Sequence, residues 1–215
     1  MRESLNHSAA DARARRGEGG YALVALLALM TVLAISMTAA APSLRQQSLR
    51  EREQEAIYRG EEVADAIEQF ARAKNGQLPK SMDELLEGIP VGTKKVQILR
   101  ASAARDPLSS TGEWRLLQPR GREMVAFQQA LVLYMEGRPL PQPQGIDVWK
   151  TRYRVQVTGI TDLGKEGEEP PGGEDDSTNA NVPFVGVASR SQRASVLTYY
   201  DIERHDHWVF TPLFR

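Results

Sequence analysis

The residues best suited to chemistry are the triplet His205-Asp206-His207 near the C-terminal end. On a strand, two histidines separated by one residue would lie on the same side, and their imidazoles could converge on a metal ion. The chain has three histidines and no cysteine, and the remaining histidine, His7, lies near the opposite end. Because a metal or catalytic site needs further convergent groups, we predict a polar turn at the triplet instead.

Asp106 is the candidate for a calcium ligand. It precedes Pro107, and aspartate before proline favours a turn. Calcium takes roughly six to eight oxygen ligands, of which Asp106 supplies only one carboxylate. Residues 162–181 are rich in glycine, proline and acidic residues but lack EF-hand spacing, so we predict a flexible acidic loop there. We therefore expect no cofactor, with calcium at Asp106 as the alternative.

The sequence contains none of the common catalytic motifs. No nucleophile elbow, glycine-rich phosphate loop, HExxH zinc motif or pair of catalytic carboxylates is present, and we predict that the protein is not an enzyme. The net charge of −1 at pH 7 provides no basic field for nucleic acid. The absence of cysteine excludes disulfides and thiol catalysis.

An uncharged, mostly apolar stretch at residues 21–41 dominates the N-terminal part of the chain. As a helix it would be about 30 Å long, enough to cross the hydrocarbon core of a bilayer. Arg13, Arg15 and Arg16 precede it, and basic residues on this side predict a cytoplasmic leader and an outward-facing remainder. About 170 of the 215 residues follow the stretch, which suits one globular domain.

Two general interpretations of this stretch are open. It could be an uncleaved signal anchor that tethers an outer domain. It could also be a secretory signal peptide with Ala39-Ala40-Ala41 as its cleavage site, which would release a soluble enzyme or binding protein. The apolar run is longer than the usual core of a signal peptide, and this disfavours cleavage after Ala41.

A third interpretation comes from the residues at the start of the stretch. Gly20-Tyr21 followed by the apolar run resembles the type III signal sequence of type IV pilins and type II secretion pseudopilins. The resemblance implies that a prepilin peptidase cleaves after Gly20 and methylates the new N-terminus at Tyr21. Pro42, twenty-second from Tyr21, stands where many pilins have a proline, and it would kink the helix by removing a backbone hydrogen bond. The apolar side chains would pack in a filament core; they include Leu23, Leu26, Leu27 and Met30.

Ala25 departs from the pattern of this family. The family usually has a glutamate at this fifth mature position, and that carboxylate is thought to pair with the N-terminal amine of a neighbouring subunit. Since an unpaired charge in a bilayer is costly, alanine here favours a minor subunit or one at the filament tip.

Residues 43–75 are predicted to continue the same helix as a charged, amphipathic segment. Small or apolar residues recur every three or four positions and form one stripe, which comprises Ile57, Gly60, Val63, Ala64, Ile67, Phe70 and Ala71. The charged residues within 45–62, Glu53 among them, are assigned to solvated faces or to subunit contacts. Asn75-Gly76 is predicted to end the helix.

Residues 76–215 are predicted to form an α+β domain. Ser81 and Glu84 fit a capping box for a short helix that ends at Gly88. Strands are predicted at 94–99, from Trp114, and at 149–159, 184–188, 196–200 and 208–211. Residues 121–145 could form a helix or a strand and look like an insertion. Short segments of the sequence resemble segments of pseudopilin-like proteins and follow one another in the same order; they are 55–61, 76–88, 106–114, 185–191 and 208–210.

The predicted fold class is therefore α+β, with a long N-terminal helix packed on a small antiparallel β-sheet, as in type IV pilins. Its parts are a cytoplasmic leader peptide at 1–20, a transmembrane or filament-core helix at 21–42 and the amphipathic continuation at 43–75. A periplasmic α+β domain at 76–215, with the flexible acidic loop at 162–181, follows.

The resemblance implies a structural, pseudopilin-like subunit of a periplasmic filament in type II protein secretion, with a single pass through the bacterial inner membrane. Expected partners are other pseudopilin or pilin subunits, the prepilin peptidase, the inner-membrane assembly platform and membrane lipid, with no nucleic acid. A cytoplasmic ATPase elsewhere would supply the energy for movement. The alternatives are a minor type IV pilin and a periplasmic scaffold or binding domain on a signal anchor.

Overall fold

The structure is a computed structural model that describes residues 6–154 and 182–215, and within them the side chains outside 6–19 and 37–45. The chain divides into two compact units, Met1–Ser48 and Leu49–Arg215, called the N-terminal and C-terminal units below. The predicted acidic loop at 162–181, and the side chains of the predicted leader up to residue 19, lie outside this description.

Helices and short strands combine in an α+β arrangement. The helices are α1 (Asn6–Ala73), α2 (Met82–Glu87), α3 (Arg122–Tyr134) and α4 (Trp149–Tyr153), with 3₁₀ turns at Gly145–Val148, His205–His207 and Pro212–Phe214. The strands are β1 (Ile89–Val91), β2 (Lys94–Val96), β3 (Arg115–Leu117), β4 (Gly186–Ala188), β5 (Ala194–Tyr199), β6 (Ile202–Arg204) and β7 (Val209–Phe210). Among the described residues they pair as antiparallel sheets ordered β1-β2, β3-β4-β7 and β5-β6. The predicted α+β class is confirmed.

The helix α1 includes both the apolar stretch and the amphipathic continuation of the sequence. Pro42 lies within its bounds, but the side chain of Pro42 is outside the description, and the kink there stays a prediction. Within residues 6–154 and 182–215, no helix offers a stretch with the length and apolarity needed to cross a membrane.

The end of α1 was predicted correctly. Asn75 and Gly76 have φ angles of 54° and 83°, in the left-handed region that ends a helix. The Gly76 N–H donates to the Ala71 carbonyl at 2.7 Å, and the Lys74 N–H donates to the Phe70 carbonyl at 2.9 Å. These bonds satisfy carbonyls that the last turn of the helix would otherwise leave unpaired.

The predicted stripe of α1 supplies the helical side of the core in the C-terminal unit. Its members from Gly60 onward are buried, and Ile57 is partly buried. The same hydrophobic cluster includes the aromatic rings of Trp114, Phe184, Trp208 and Phe210. Gly60 permits the closest approach, because a Cβ atom at this position would lie 2.3 Å from the ring of Phe210. The stripe prediction is confirmed.

The short helix α2 begins with the predicted cap. The Ser81 hydroxyl accepts from the Glu84 N–H at 3.3 Å, and a Glu84 carboxylate oxygen accepts from the Lys80 N–H at 3.1 Å. The helix ends before Gly88, whose φ of 80° suits glycine. The reciprocal bond thus reaches one residue further back than the predicted capping box.

The segment 121–145 contains the helix α3 followed by an irregular stretch. Gly121 occupies the N-cap position, and the residues that α3 buries are Met124, Phe127, Gln128 and Leu131. Their spacing of three, one and three positions places them on one face of a helix. The structure therefore decides the open choice between helix and strand in favour of a helix.

The strand predicted at 149–159 is wrong where the structure describes it. Residues Trp149–Tyr153 form α4. The rings of Trp149 and Tyr153 lie 6.1 Å apart, and the Tyr153 hydroxyl donates to the Gly76 carbonyl at 2.9 Å. These tertiary contacts outweigh the alternating pattern, two of whose members, Val155 and Val157, lie outside the described residues. The predicted C-terminal strands correspond to β4, β5 and β7, and β6 was not predicted.

A bidentate ion pair joins the first 3₁₀ turn to the last turn of α1. Arg72 donates through Nε and Nη2 to the two carboxylate oxygens of Asp147, each at 2.7 Å. The hydrogen bonds from Arg72 hold the pKa of Asp147 below its ordinary value. A carboxyl group with a lowered pKa stabilises the fold above its unfolded pKa, and this contribution is lost as the pH falls through the folded pKa.

We expect Asp147→Asn to lower the free energy of unfolding by at most about 1 kcal/mol at pH 7, since the pair is partly exposed and solvent screens it. The difference from the unsubstituted chain should begin to shrink as the pH falls below about 4, where the carboxyl of the unfolded chain becomes protonated, and should vanish once the pH is below the lowered pKa of the folded chain. Urea unfolding of both chains between pH 7 and low pH measures this difference in the free energy of unfolding. A difference that stays constant down to low pH would contradict the assignment to this pair.

Candidate functional site

The apolar stretch in the N-terminal unit is a continuous exposed surface. All described side chains from residue 20 to residue 36 are exposed. The side chains predicted to pack in a filament core, together with Tyr21, are between 51% and 80% exposed; they are Leu23, Leu26, Leu27 and Met30. A helix that is apolar on all sides needs lipid or protein around it, and exposed patches of this kind mark interaction surfaces.

Two hydroxyl groups among the described side chains of this stretch, those of Thr31 and Ser36, bond within the helix. The Thr31 hydroxyl donates to the Ala28 carbonyl at 2.8 Å, and the Ser36 hydroxyl donates to the Val32 carbonyl at 2.8 Å. Hydroxyl groups that bond the preceding turn can enter a water-free environment without an unpaired donor. Ala25 is exposed on the same helix and adds no charge.

Asp106 lies in the C-terminal unit and acts there as a turn-forming residue. One carboxylate oxygen accepts from the Leu108 N–H at 2.8 Å, as the turn prediction requires. The other accepts from the Ser189 hydroxyl at 2.7 Å and from the Arg190 N–H at 3.4 Å. Both oxygens of the buried Asp106 are thus engaged with groups of the protein. Across residues 6–154 and 182–215, no three side chains of histidine, aspartate or glutamate converge to hold a metal ion.

The two histidines of the C-terminal triplet have different surroundings and do not share one side of a strand. They lie in a 3₁₀ turn rather than a strand. His205 is only 1% exposed, whereas the side chain of His207 is 61% exposed. The predicted turn is confirmed, but the burial of His205 was not predicted: its ring forms part of a buried network.

The partner of His205 is Glu53 on α1. His205 Nε2 lies 2.8 Å from a Glu53 carboxylate oxygen, and both side chains are buried. Glu53 also accepts from two backbone N–H groups of β5, those of Val196 at 2.9 Å and Leu197 at 2.7 Å. The assignment of Glu53 to a solvated face of α1 is wrong, because its charge is buried and fully hydrogen-bonded.

The strand β5 is irregular where its backbone N–H groups bind Glu53. Its pairing with β6 advances from Ala194 opposite Arg204 to Tyr199 opposite Ile202, so that five steps along β5 correspond to two along β6. The extra residues form a wide bulge in β5. Consecutive N–H groups point to opposite sides of a regular strand, and the bulge allows Val196 and Leu197 to donate to the same carboxylate. We call Glu53, His205 and this bulge the Glu53–His205 junction.

Two serines extend the junction toward Asp106. His205 Nδ1 lies 3.2 Å from the Ser191 hydroxyl, and the Ser191 N–H donates to the Ser189 hydroxyl at 3.1 Å. The Ser189 hydroxyl in turn donates to Asp106. The resulting chain of hydrogen bonds connects α1, the turn at Asp106, the end of β4 and the β5-β6 hairpin.

The order of hydroxyl, imidazole and carboxylate in this chain of hydrogen bonds is also that of a nucleophilic triad. His205 is enclosed between Glu53 and the ring of Trp208, whose centroid lies 5.1 Å from the imidazole centroid. Glu53 binds strand amides as well as the imidazole, which makes it a connection between elements. Ser191 does not line the cavity beside α3, the cavity beside α2 or the small cavity at Tyr199 and Tyr200. The geometry supports a structural junction.

Comparisons with protein-family models, with curated proteins and with solved structures found no match for this chain.

Proposed function

We propose that this chain is a structural, pseudopilin-like subunit of a periplasmic filament in type II protein secretion. The observation that carries the proposal is the exposed apolar stretch on α1, in which the Thr31 and Ser36 hydroxyls bond within the helix. The sequence of this stretch continues without charge to Ala41. The proposal takes the whole uncharged sequence from Tyr21 to Ala41 as the segment that enters a bilayer before assembly and a bundle of similar helices after it.

The same helix belongs to a folded unit at its other end. Residues of α1 from Ala56 to Ala71 supply a buried stripe to the core of the C-terminal unit, and Glu53 fastens the β5-β6 hairpin to the helix. One helix that carries both an exposed apolar surface and the core stripe of an α+β unit is the arrangement that the resemblance to type IV pilins predicts. This arrangement supports the pilin-like fold as part of the proposal.

The proposed subunit has its leader in the cytoplasm and its C-terminal unit in the periplasm, with one pass through the bacterial inner membrane. A prepilin peptidase, the assembly platform, neighbouring pilin-like subunits and membrane lipid are its proposed partners. Ala25 provides no carboxylate for the N-terminal amine of a neighbour, so we place the subunit in a minor or tip position. A minor type IV pilin is the alternative within the same class.

The decisive experiment determines the N-terminus of the full chain after co-expression with a prepilin peptidase in a bacterial host. Intact mass and N-terminal sequencing of the protein from membranes should show a chain that begins at N-methylated Tyr21. We expect Gly20→Val to leave the chain beginning at Met1, because the bulky side chain blocks the residue before the cleaved bond. Gly17→Val, a matched change within the leader, should be processed normally.

The other outcomes separate the rival functions. A chain that begins at Met1 despite an active peptidase would mean a signal anchor that carries a scaffold or binding domain. A soluble chain that begins at Pro42 would mean a cleaved signal peptide. Either result would overturn the proposed processing, and an inactive peptidase serves as the negative control.

A further inference from the structure

A proline-rich segment, residues 138–143, connects α3 to the first 3₁₀ turn. Prolines alternate with other residues in its sequence, Arg138-Pro139-Leu140-Pro141-Gln142-Pro143. The ring of each proline fixes its own φ near about −65° and restricts the preceding residue to extended backbone. Since every residue from 138 to 143 is a proline or precedes one, covalent structure alone favours the polyproline II conformation throughout.

The structure has the hydrogen bonding and the burial period expected of such a helix. Residues 138–144 belong to no α-helix or strand, and the N–H groups of Leu140 and Gln142 are not paired with any described backbone carbonyl. A polyproline II helix has no internal hydrogen bonds and three residues per turn. Burial follows that period, because Leu140 and Pro143 are partly buried whereas the other residues of 138–144 are exposed.

One edge of the segment therefore packs on the C-terminal unit, and two edges face outward. Leu140 packs against the hydrophobic core, and Pro143, three positions further on, lies on the same edge. The exposed positions form the two outer edges; they are Pro139 and Gln142 on one, and Arg138, Pro141 and Gln144 on the other. Proline-rich segments in this conformation are the ligands of grooves lined by aromatic rings.

Contacts at its ends and in its middle hold the segment in place. The Arg138 N–H donates to the Met135 carbonyl at 3.0 Å, and Arg154 Nη1 donates to the Pro141 carbonyl at 2.5 Å. Beyond the segment, the bidentate ion pair of Asp147 fixes the 3₁₀ turn. A partner need not order the segment, so its binding costs little conformational entropy.

The surface that contains the segment is apolar and carries a cation without a described partner. Ile146 and Val148, in the 3₁₀ turn that follows, are 72% and 58% exposed. Arg138 is exposed, and no ion pair joins its guanidinium to a described carboxylate. Exposed apolar groups beside a rigid segment form a contact surface, and the guanidinium at its start favours a partner with a carboxylate there.

We propose that the segment 138–143 is the ligand of a partner protein that has a groove lined by aromatic rings and an acidic residue at one end of that groove. The rings would contact Pro139 and Pro141, and tyrosine or tryptophan donors of the groove would bind carbonyls of the segment. The acidic residue would bind Arg138. This proposal goes beyond filament assembly through α1 and does not depend on it.

The test uses the full chain in lipid nanodiscs and, as the probe, a fluorescently labelled SH3 domain that recognises an arginine followed by prolines. The control probe is the same domain with its groove tryptophan replaced by alanine. Fluorescence anisotropy should show that the first probe binds the chain and that the control probe does not. A synthetic peptide of residues 137–144 should bind the first probe more weakly than the chain does, because the free peptide has to be ordered.

Substitutions in the chain locate the binding. Pro139→Ala combined with Pro141→Ala should weaken binding of the probe at least about tenfold, whereas Pro90→Ala, at an exposed proline in β1, should leave it unchanged. Arg138→Gln should weaken binding about tenfold, in accord with the loss of a charge-assisted bond, and should make it less sensitive to salt. The inward-facing Leu140 is left in place, so that the segment stays packed on the C-terminal unit.

Three results would overturn the proposal. The first is a peptide that binds the probe more tightly than the folded chain does, because the C-terminal unit would then obstruct the segment. The second is the absence of binding to both the chain and the peptide, because the sequence itself would then not be a ligand of such a groove. The third is binding that survives the double proline substitution, which would place the contact elsewhere on the chain.

Discussion

Replacement of Glu53 by alanine is expected to lower the free energy of unfolding by about 3 kcal/mol or more, because each buried group left without its hydrogen-bond partner costs about 1–3 kcal/mol. The substitution leaves the N–H groups of Val196 and Leu197 and the ring of His205 without their common acceptor in a buried site. It also removes the connection that holds β5 to α1. Urea unfolding of the full chain, followed by tryptophan fluorescence, measures the loss, because Trp208 packs against His205.

Glu55→Ala is the matched control for this experiment. Glu55 lies two positions further along α1, is 51% exposed and pairs with Arg59 at 2.8 Å, a contact worth only about 0.3–0.5 kcal/mol. The loss of stability caused by Glu53→Gln should lie between those of Glu53→Ala and Glu55→Ala, because the amide keeps one acceptor oxygen but loses the charge. If Glu53→Ala proved as mild as Glu55→Ala, the junction would have no part in the stability of the C-terminal unit.

Gly60→Ala is expected to destabilise the chain by about 1–3 kcal/mol, the usual cost of overpacking a core. In an exposed helix the same change stabilises by roughly 1 kcal/mol, because alanine has the higher helix propensity. Here the added Cβ atom would lie 2.3 Å from the ring of Phe210, which is itself buried against Tyr199 and Trp114. Helix and sheet would have to separate to admit one methyl group. Thermal and urea unfolding both report the change.

A second substitution tests whether the clash with Phe210 is the cause. Phe210→Leu alone should destabilise by creating space in the core. Combined with Gly60→Ala it should cost less than the sum of the two single changes, since the methyl group occupies part of that space. Simple additivity in this double-mutant cycle would show that Gly60 matters for some reason other than its contact with Phe210.

The features that could be predicted from the sequence depend on residues that are close together along the chain. The stripe of α1 depends only on the helical period, and its end depends on the left-handed conformation that Asn75 and Gly76 adopt. The turn at Asp106 forms through a bond from the aspartate side chain to a backbone N–H two residues later. Each of these features needs no information from a distant part of the chain.

Contacts between distant segments explain the errors. Residues 149–153 became a helix through contacts that include Gly76, and β6 follows a tight turn at Tyr200 and Asp201, whose φ angles of 50° and 63° are uncommon for such residues. Neither residue is the glycine or asparagine that usually marks a hairpin turn. The pattern of residues along the chain therefore gave no indication of β6.

The spacing of Glu53 in the sequence indicates that it lies on the buried side of α1. Glu53 lies four residues before Ile57 and so continues the spacing of the apolar stripe. A charged residue on the core side of a helix is a reason to look for a buried partner. Its partner His205, by contrast, could not be identified, because no local pattern relates the two positions.

The Glu53–His205 junction determines when the C-terminal unit can finish folding. Its two members are 152 positions apart in the sequence. During synthesis α1 emerges first, and Glu53 remains hydrated until the last strands have been made. Contacts between such distant positions require closure of a long loop, and they slow folding. We therefore expect the C-terminal unit to complete its core in one late step, after translation has passed residue 205, and to gain little protection before then.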